Sequence, residues 1–241
     1  MDKPADLIPP HGGFRKLRSF AVALAAYDGT VTFCGRFIDR RSRTHDQMVQ
    51  AARSGVQNIA EGSLASGTSK KTELKLTGVA RASLGELIRD YEDYLRQNQL
   101  QVWDKDSQKV RVMRARLAGK LKKAAMSDGS DGSDGSDRSD RSDRSDRSDR
   151  SDRSDRSDRS DRSDGPQELE GVPRSEFFDE PLLSALRALH TASPEVSANI
   201  LLCLSHQASF LLKRQMDRLA TDFAANGGFT ERLYNYRKEH R

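Results

Sequence analysis

The sequence predicts an all-α protein built around an antiparallel up-and-down four-helix bundle. Apolar residues recur at steps of three and four along four long segments, which places them on one face of a helix. No segment shows the strict alternation of a strand or the turn pair of a hairpin. Four principal helices make an up-and-down bundle the simplest arrangement. A long helical and disordered insertion is expected between helices three and four.

The first helix is predicted over residues 17–38 and the second from Thr44 to Gly62. In the first, a heptad stripe continues past Gly29, which is the expected site of any bend. In the second, Thr44 and Gln47 have the spacing of a capping box, and Gly62 is the expected C-cap. Small or flexible residues occupy three positions of its inner stripe, so we expect close approach of neighbouring helices. The stripe consists of Met48, Ala52, Gly55 and Ile59.

The third helix is predicted from about Lys70 to Gln97, and the fourth begins after Ser193. Ser193 as N-cap, followed by Pro194 and then an acidic residue in the first turn, is a strong helix start. The fourth helix should end at the Asn-Gly-Gly sequence of residues 226–228. One face of the third helix is apolar, and it consists of Ala80, Leu84, Leu87, Tyr91 and Tyr94.

The insertion has three parts of different composition. Residues 99–126 contain an amphipathic helix, predicted at 105–125, with a strongly basic surface. Residues 127–165 are thirteen Ser-Asp-Gly or Ser-Asp-Arg triplets, and they should be disordered because they have no apolar side chain to bury. Residues 166–194 are a short apolar connector. The other predicted parts are a flexible N-terminus (1–13), helices one to three (14–98), and helix four with a basic tail (195–241).

The bundle topology explains how such an insertion is tolerated. If helices three and four are antiparallel neighbours, the end of one and the start of the other lie at the same end of the bundle. The inserted chain can then leave and return without disturbing the core, since the cost of loop closure grows slowly with length. Packing of helix four in trans, as a swap between chains, remains an open alternative.

The charge is distributed unevenly along the chain. The formal net charge is +5, but the repeat contains 13 Asp and 9 Arg, which leaves +9 on the other 202 residues. This basic balance indicates phosphate contacts with RNA or DNA, although an ordinary solvated surface has the same appearance. The candidate nucleic-acid-binding residues are Arg40, Arg41, Arg43, Arg53, Lys70, Lys71 and Lys75.

Motifs for catalysis or metal binding are weak. The turn at residues 62–69 has the glycine spacing of a phosphate loop, but Thr68 stands where the lysine should be and a helix precedes it. Cys203 and His206 are three residues apart, whereas a zinc site needs more ligands and the other histidines are scattered. No Ser/His/Asp or Cys/His arrangement can be assembled. We therefore expect a protein that is not an enzyme and holds no metal or cofactor.

Two pairs of residues carry structural expectations. Glu61 and Arg81 fall on or near inward stripes, which favours an ion pair that bridges helices two and three. Cys34 and Cys203 lie inside apolar patterns, so buried reduced thiols in a cytoplasmic protein are favoured over a disulfide. The chain shows no secretory signal and no apolar run long enough to span a membrane, so no membrane association is expected.

Several segments resemble a known family. Gln47–Gly62 (QMVQAARSGVQNIAEG) and Leu76–Leu87 (LTGVARASLGEL) look like the two signature helices of bacterial four-helix bundle proteins encoded in intervening sequences of 23S ribosomal RNA genes. Phe14–Leu17 is similar to the start of that family. Residues 196–234 resemble the C-terminal "suffix" segment of a subgroup whose fourth helix is displaced by an insertion. The motif residues are Asn58, Glu61, Gly62 and Arg81.

The resemblance implies an antiparallel bundle that assembles into a homo-oligomeric ring, with pentamers known among relatives, and it implies no enzymatic activity. A related branch, the accessory variability protein of diversity-generating retroelements, is a basic barrel that binds nucleic acid and a reverse transcriptase, a role that does not transfer here. The basic helix at 105–125 and the repeat depart from the family pattern. We expect a non-enzymatic oligomeric scaffold that binds nucleic acid, and the alternative is a protein-interaction adaptor without such binding.

Overall fold

The computed structural model describes residues 11–117 and 177–239, and this part of the chain is all-α, as predicted. It contains seven α-helices and one short 3₁₀ turn, and no strand occurs in the two described ranges. The helices are α1 (Arg18–Phe37), α2 (Arg43–Ala65), α3 (Lys70–Gln97), α4 (Gln108–Leu117), α5 (Glu180–Leu189), α6 (Pro194–Asn226) and α7 (Phe229–Glu239). The expectation of disorder in the Ser-Asp repeat concerns residues outside these ranges.

α1 lies at the centre of the packing and contacts α2, α5 and α6. All eight residues from Ser19 to Ala26 are buried, as expected for a helix that is covered on every side. The helix continues without interruption through Gly29. A β-carbon at Gly29 would lie 2.5 Å from Cδ2 of Leu201 and 2.8 Å from Cδ1 of Leu189. This glycine therefore allows α5 and α6 to approach closely.

α2 and α3 pack against each other in opposite directions. Near the middle of α2, the Ser54 and Ser83 Oγ atoms are 2.9 Å apart. Two turns further along α2, a β-carbon at Gly62 would lie only 3.3 Å from Cβ of Leu76, which is earlier in α3. Gly62 is buried inside α2, which continues to Ala65, so its prediction as the C-cap is wrong. Its lack of a side chain allows the close approach that we expected from the stripe of small residues.

Serine side chains cap three of the long helices. Ser42 Oγ accepts a hydrogen bond from the Thr44 N–H at 3.2 Å, so the N-cap of α2 lies two residues earlier than the predicted Thr44. Ser69 caps α3 by accepting from a backbone N–H three residues on, at 3.2 Å. Ser193 caps α6 as predicted. Each such bond satisfies a backbone donor at a helix start and typically contributes about 1 kcal/mol.

α6 packs against α1 and α3 and runs in the opposite direction to α1. At the start of α1, Ser19 Oγ donates to Oε1 of Gln215 at 3.0 Å. At the other end of α1, Arg36 Nη2 donates to the carbonyl oxygen of Ala192, just before α6, at 3.0 Å. α6 ends at the predicted glycine pair, where Gly227 takes a φ of +62° that favours glycine.

α1 and α3 also meet inside the core. The Tyr91 hydroxyl donates to Thr30 Oγ1 at 2.9 Å, and Thr30 donates in turn to the carbonyl oxygen of Ala26 at 2.6 Å. The ring centroid of Phe33 lies 5.2 Å from that of Tyr91 and 4.9 Å from that of Tyr94. Both hydroxyls in this fully buried contact therefore have partners, as buried polar groups require.

Several segments differ from their prediction. The connector at 166–194 contains a helix, α5, which is capped by Asp179 and packs against α1. The tail after residue 228 also forms a helix, α7. Residues 11–13, expected to belong to a flexible terminus, include Gly12, whose N–H donates to the carbonyl oxygen of Ser63 at 3.0 Å. Of the basic helix predicted at 105–125, residues 105–117 are described, and α4 begins three residues later than predicted.

Candidate nucleic-acid interface

The seven predicted nucleic-acid-binding residues do not form one patch. Three lie at or just before the start of α2, three belong to the start of α3, and Arg53 lies between them, half-buried in α2. The first group, the arginine cluster, is Arg40, Arg41 and Arg43, and the second, the lysine cluster, is Lys70, Lys71 and Lys75. The start of α3 follows the end of α2 after a short turn. α2 has 23 residues and is about 33 Å long at roughly 1.5 Å per residue, and the two clusters lie near its opposite ends.

Most side chains of the two clusters are available to an anion. Lys70 is the exception, because its Nζ pairs with the largely buried Glu73 carboxylate at 3.0 Å. Among the described residues, no ion pair involves the other cluster members. All of those members are exposed. Each cluster thus presents at least two exposed cationic side chains that form no ion pair within the described residues.

The four motif residues divide into two buried or half-buried residues and two exposed ones. The Asn58 side-chain amide donates to the backbone carbonyl oxygen of Ser54 at 2.9 Å, next to the serine contact with α3. Gly62 is buried where α3 approaches most closely. Glu61 and Arg81 are both exposed, and no ion pair joins them in the described part of the chain. The expected inward ion pair is therefore wrong, and these two residues lie on the surface of α2 and α3.

α4 presents a third basic surface that was not among the predicted site residues. Its exposed cations are Lys109, Arg111 and Arg116, and Lys105 lies exposed just before it. On the other side, Val110 and Leu117 are buried against the rest of the molecule, where α4 contacts α5 and α6. α4 therefore packs through a narrow apolar side and exposes a charged side to solvent.

One arginine holds the end of α4 in place. Arg18 Nη2 donates to the carbonyl oxygen of Leu117 at 2.6 Å, and Arg18 Nη1 pairs with Oδ2 of Asp179 at 2.9 Å. Asp179 is also the N-cap of α5, accepting from the N–H of Leu182 at 3.3 Å. Arg18 therefore links α1 to both helices of the described insertion.

Trp103 precedes α4 in a loop that is held from α6. The buried Asn199 side chain accepts from the N–H of Trp103 at 2.8 Å and donates to the carbonyl oxygen of Gln101 at 2.9 Å. Lys109 Nζ lies 5.8 Å from the centroid of the Trp103 ring. A surface groove of about 370 Å³, here the Trp103 groove, runs between this ring and α4. Its lining consists of Trp103, Gln108, Lys109, Val112, Met113 and Arg116.

Among the described residues, the thiols and histidines do not assemble into a reactive centre. Cys34 and Cys203 are free and buried, as predicted, and burial raises the pKa of Cys34 to about 12 and that of Cys203 to about 11. His206 is exposed one turn after Cys203. Within residues 11–117 and 177–239, no group of three or more His, Cys, Asp or Glu could hold a metal ion. In the same ranges, no helix is long and apolar enough to span a membrane.

No protein-family model, curated protein or solved structure matches this chain. We therefore base the function on its basic surfaces and on the groove. The seven-residue prediction does not include the groove because Trp103 depends on Asn199, which lies 96 positions later in the sequence. One signal is present in the sequence, since the single tryptophan of the chain directly precedes its most basic segment.

Proposed function

We propose that this chain is a non-enzymatic, oligomeric helical scaffold that binds RNA or DNA through phosphate contacts on its basic surface. Its core is an antiparallel up-and-down four-helix bundle of α1, α2, α3 and α6. Pairwise contacts support that arrangement, since α2 and α6 each contact both α1 and α3. The bundle and the homo-oligomer are also what the resemblance to the proteins of 23S rRNA intervening sequences implies.

The observation that carries the proposal is the unpaired positive charge of the arginine and lysine clusters. Two or three cations without carboxylate partners lie at each end of α2. Phosphate binding needs no more than such charge, and it releases the counterions that are condensed on the nucleic acid. The length of α2 is also suitable, because a duplex repeats its backbone about every 34 Å and the helix between the clusters is about 33 Å long. Two clusters near opposite ends of this helix can contact one strand on successive turns.

Assembly of several copies would strengthen such binding. A cluster of two or three exposed cations gives weak affinity alone, because solvent and salt screen it. An oligomer presents the same clusters repeatedly to one polyanion, and linked contacts raise the overall affinity by effective concentration. An oligomeric scaffold is therefore better suited to this charge distribution than a single copy.

A filter-binding titration of the full chain tests the proposal. Labelled RNA and DNA should be retained at low salt. The double variant Arg41→Glu/Lys71→Glu should lose at least tenfold in affinity, because it reverses one charge in each cluster and is expected to remove at least about 1.4 kcal/mol of binding free energy. Lys213→Glu/Arg218→Glu is the matched control, since it changes the net charge equally at exposed positions of α6 that are already paired with Asp217 and Asp222.

The adaptor alternative gives a different result in the same experiment. A scaffold that only captures another protein would retain no nucleic acid at low salt, and the Arg41→Glu/Lys71→Glu variant would still capture its partner. Equal losses in the cluster variant and in the α6 control would also contradict the proposal, because binding would then depend on net charge and not on the clusters.

A further inference from the structure

We propose that the Trp103 groove is a second site, which binds single-stranded nucleic acid with one base stacked on the Trp103 ring. Lys109 and Arg116 would hold the phosphates on either side of that base. This inference rests on the proposed nucleic-acid binding, but it concerns different residues and a different form of the ligand.

The loop backbone that carries the Trp103 ring is held before any ligand arrives. Asn199 is 2% exposed, and its side chain bonds the backbone at both Gln101 and Trp103. It also donates to the carbonyl oxygen of Glu195 in its own helix at 2.9 Å, so its orientation is determined. Gln99, at φ 56°, turns the chain sharply out of α3 toward this loop. A ring whose backbone is already held costs less entropy when it stacks on a ligand.

The charges beside the platform suit a polyanion. Lys109 and Arg116 are exposed and line the groove, and Arg111 is exposed on the same short helix. No ion pair involves these three residues in the part of the chain that the structure describes. Lys109 and Arg116 are seven residues apart, which is about 10 Å along a helix. They can therefore contact phosphates on both sides of a base that is held between them.

The shape and lining of the groove suit one unpaired base. Its volume of about 370 Å³ lies in the range of small-ligand sites, which is roughly 300–1,000 Å³. Val112 and Met113 supply apolar contact, and the Gln108 amide can both donate to and accept from the edge of a base. In a duplex the bases are stacked on each other, so only a single strand can offer a base to Trp103.

Trp103 also supplies the means to test the site, because it is the only tryptophan in the chain. Titration of the full-length protein with a 15-nucleotide oligothymidylate at low salt should quench its fluorescence to saturation. A duplex of the same length, which can bind the arginine and lysine clusters, should leave the fluorescence almost unchanged.

Variants make the test independent of fluorescence. Anisotropy of a labelled oligothymidylate should show that Trp103→Ala weakens binding about 10- to 100-fold, and that Trp103→Phe retains part of the affinity because a ring remains. Phe210→Ala is the matched control, because it removes an exposed aromatic ring that is outside the groove lining. It should bind as the unaltered protein does.

Failure of this inference is distinguishable from failure of the proposed function. If oligothymidylate binds without quenching, and Trp103→Ala binds as well as Phe210→Ala, the groove is not a nucleic-acid site while phosphate binding at the clusters stands. Quenching by an acidic Ser-Asp peptide but not by oligothymidylate would likewise overturn the inference and identify a peptide as the occupant. If neither RNA nor DNA is retained in filter binding, the proposed function itself fails.

Discussion

The α2–α3 contact and the α4 contact differ in how much of each helix surface is used for packing. α2 and α3 approach closely through small residues such as Gly55 and Gly62, and contacts run along both helices. α4 is held mainly by Val110, Leu117 and the hydrogen bond from Arg18. The first arrangement leaves little freedom for substitution. The second leaves an exposed face of α4 free for cations and a groove.

Under the proposed function, stability and binding are carried by separate parts of the molecule. A close contact between helices is sensitive to changes of one or two methyl groups, because protein interiors are densely packed. An exposed charged face can vary without affecting folding, and effects of surface changes are usually within about 0.5 kcal/mol. Substitutions in α2–α3 should therefore change unfolding, whereas substitutions on α4 should change binding.

The largest expected effect is that of Leu84→Ala in the α2–α3 contact. Leu84 is fully buried and faces Gly55, so its truncation should lower the free energy of unfolding by about 2–5 kcal/mol. Val112→Ala, in the half-buried lining of the Trp103 groove, should cost less than about 1 kcal/mol. Urea unfolding of both variants gives the comparison. Equal losses of unfolding free energy in the two variants would show that α4 is packed as tightly as α3.

The next largest expected effect on stability comes from replacing a glycine with valine at two positions, one in the α2–α3 contact and one outside it. Gly55→Val should destabilise by about 1–3 kcal/mol, because even its β-carbon would lie 3.1 Å from Cδ2 of Leu84. Gly85→Val should leave stability unchanged or raise it slightly, since no atom lies within 4 Å of a β-carbon there and valine favours a helix more than glycine. Thermal unfolding measures both. A similar loss at Gly85 would show that another surface covers this face of α3.

A smaller and more local effect is expected when α4 loses its anchor. Arg18→Ala removes the hydrogen bond to Leu117 and the ion pair with Asp179, together worth about 1–2 kcal/mol. Hydrogen exchange should accelerate in residues 108–117 and stay unchanged in α2 and α3. Lys16→Ala is the control, because Lys16 is exposed nearby. Faster exchange throughout the molecule would contradict the separation of the two regions.

The smallest expected effect is a difference between the two cysteines in how much each thiol lowers the stability at alkaline pH. Both thiols have a pKa raised above the ordinary value of 9.0, to about 12 for Cys34 and about 11 for Cys203, mainly through burial. The Arg114 charge on α4 lowers the pKa of Cys203, whereas Asp90 raises that of Cys34. Since unfolding releases protons from both thiols above pH 9, stability is fully present below pH 9 and falls as pH rises toward 11 or 12.

Single substitutions separate these two contributions. Cys34→Ala should flatten the pH dependence of the urea midpoint between pH 9 and 12 more than Cys203→Ala does, with most of the difference above pH 11. Arg114→Ala should steepen it, because the pKa of Cys203 then rises further. If Cys203→Ala has the larger effect, α4 does not influence the thiol as described.

The sequence predicts helices correctly where capping residues close to the helix ends determine those ends. α3 has the predicted range, and α6 begins after Ser193 and ends at Gly227 as expected. The prediction for Gly62 is wrong because a glycine after an apolar stripe is the usual sign of a C-cap, whereas here α3 requires its missing side chain. α5 is not predicted because ten residues with a proline near the start give too short a pattern, and the contact with α1 stabilises it.

The candidate site is less predictable than the fold. Six of the seven basic residues lie at or just before the starts of two helices, but no sequence pattern shows that α2 separates them into two clusters. Glu61 and Arg81 are expected to face inward because they lie on or near the apolar stripes of their helices. Neighbouring helix positions differ in direction by about 100°, so a residue beside a stripe can point to solvent. The Trp103 groove requires a contact from α6 that no local pattern contains.

The salt dependence of nucleic-acid binding tests the central claim most directly. For the full chain, the logarithm of the association constant should fall linearly with the logarithm of salt concentration, by about 0.7–0.9 for each phosphate contacted. The Arg41→Glu/Lys71→Glu variant should give a shallower slope, by about one to two contacts. Binding without a salt slope, or no binding at low salt, would contradict the account.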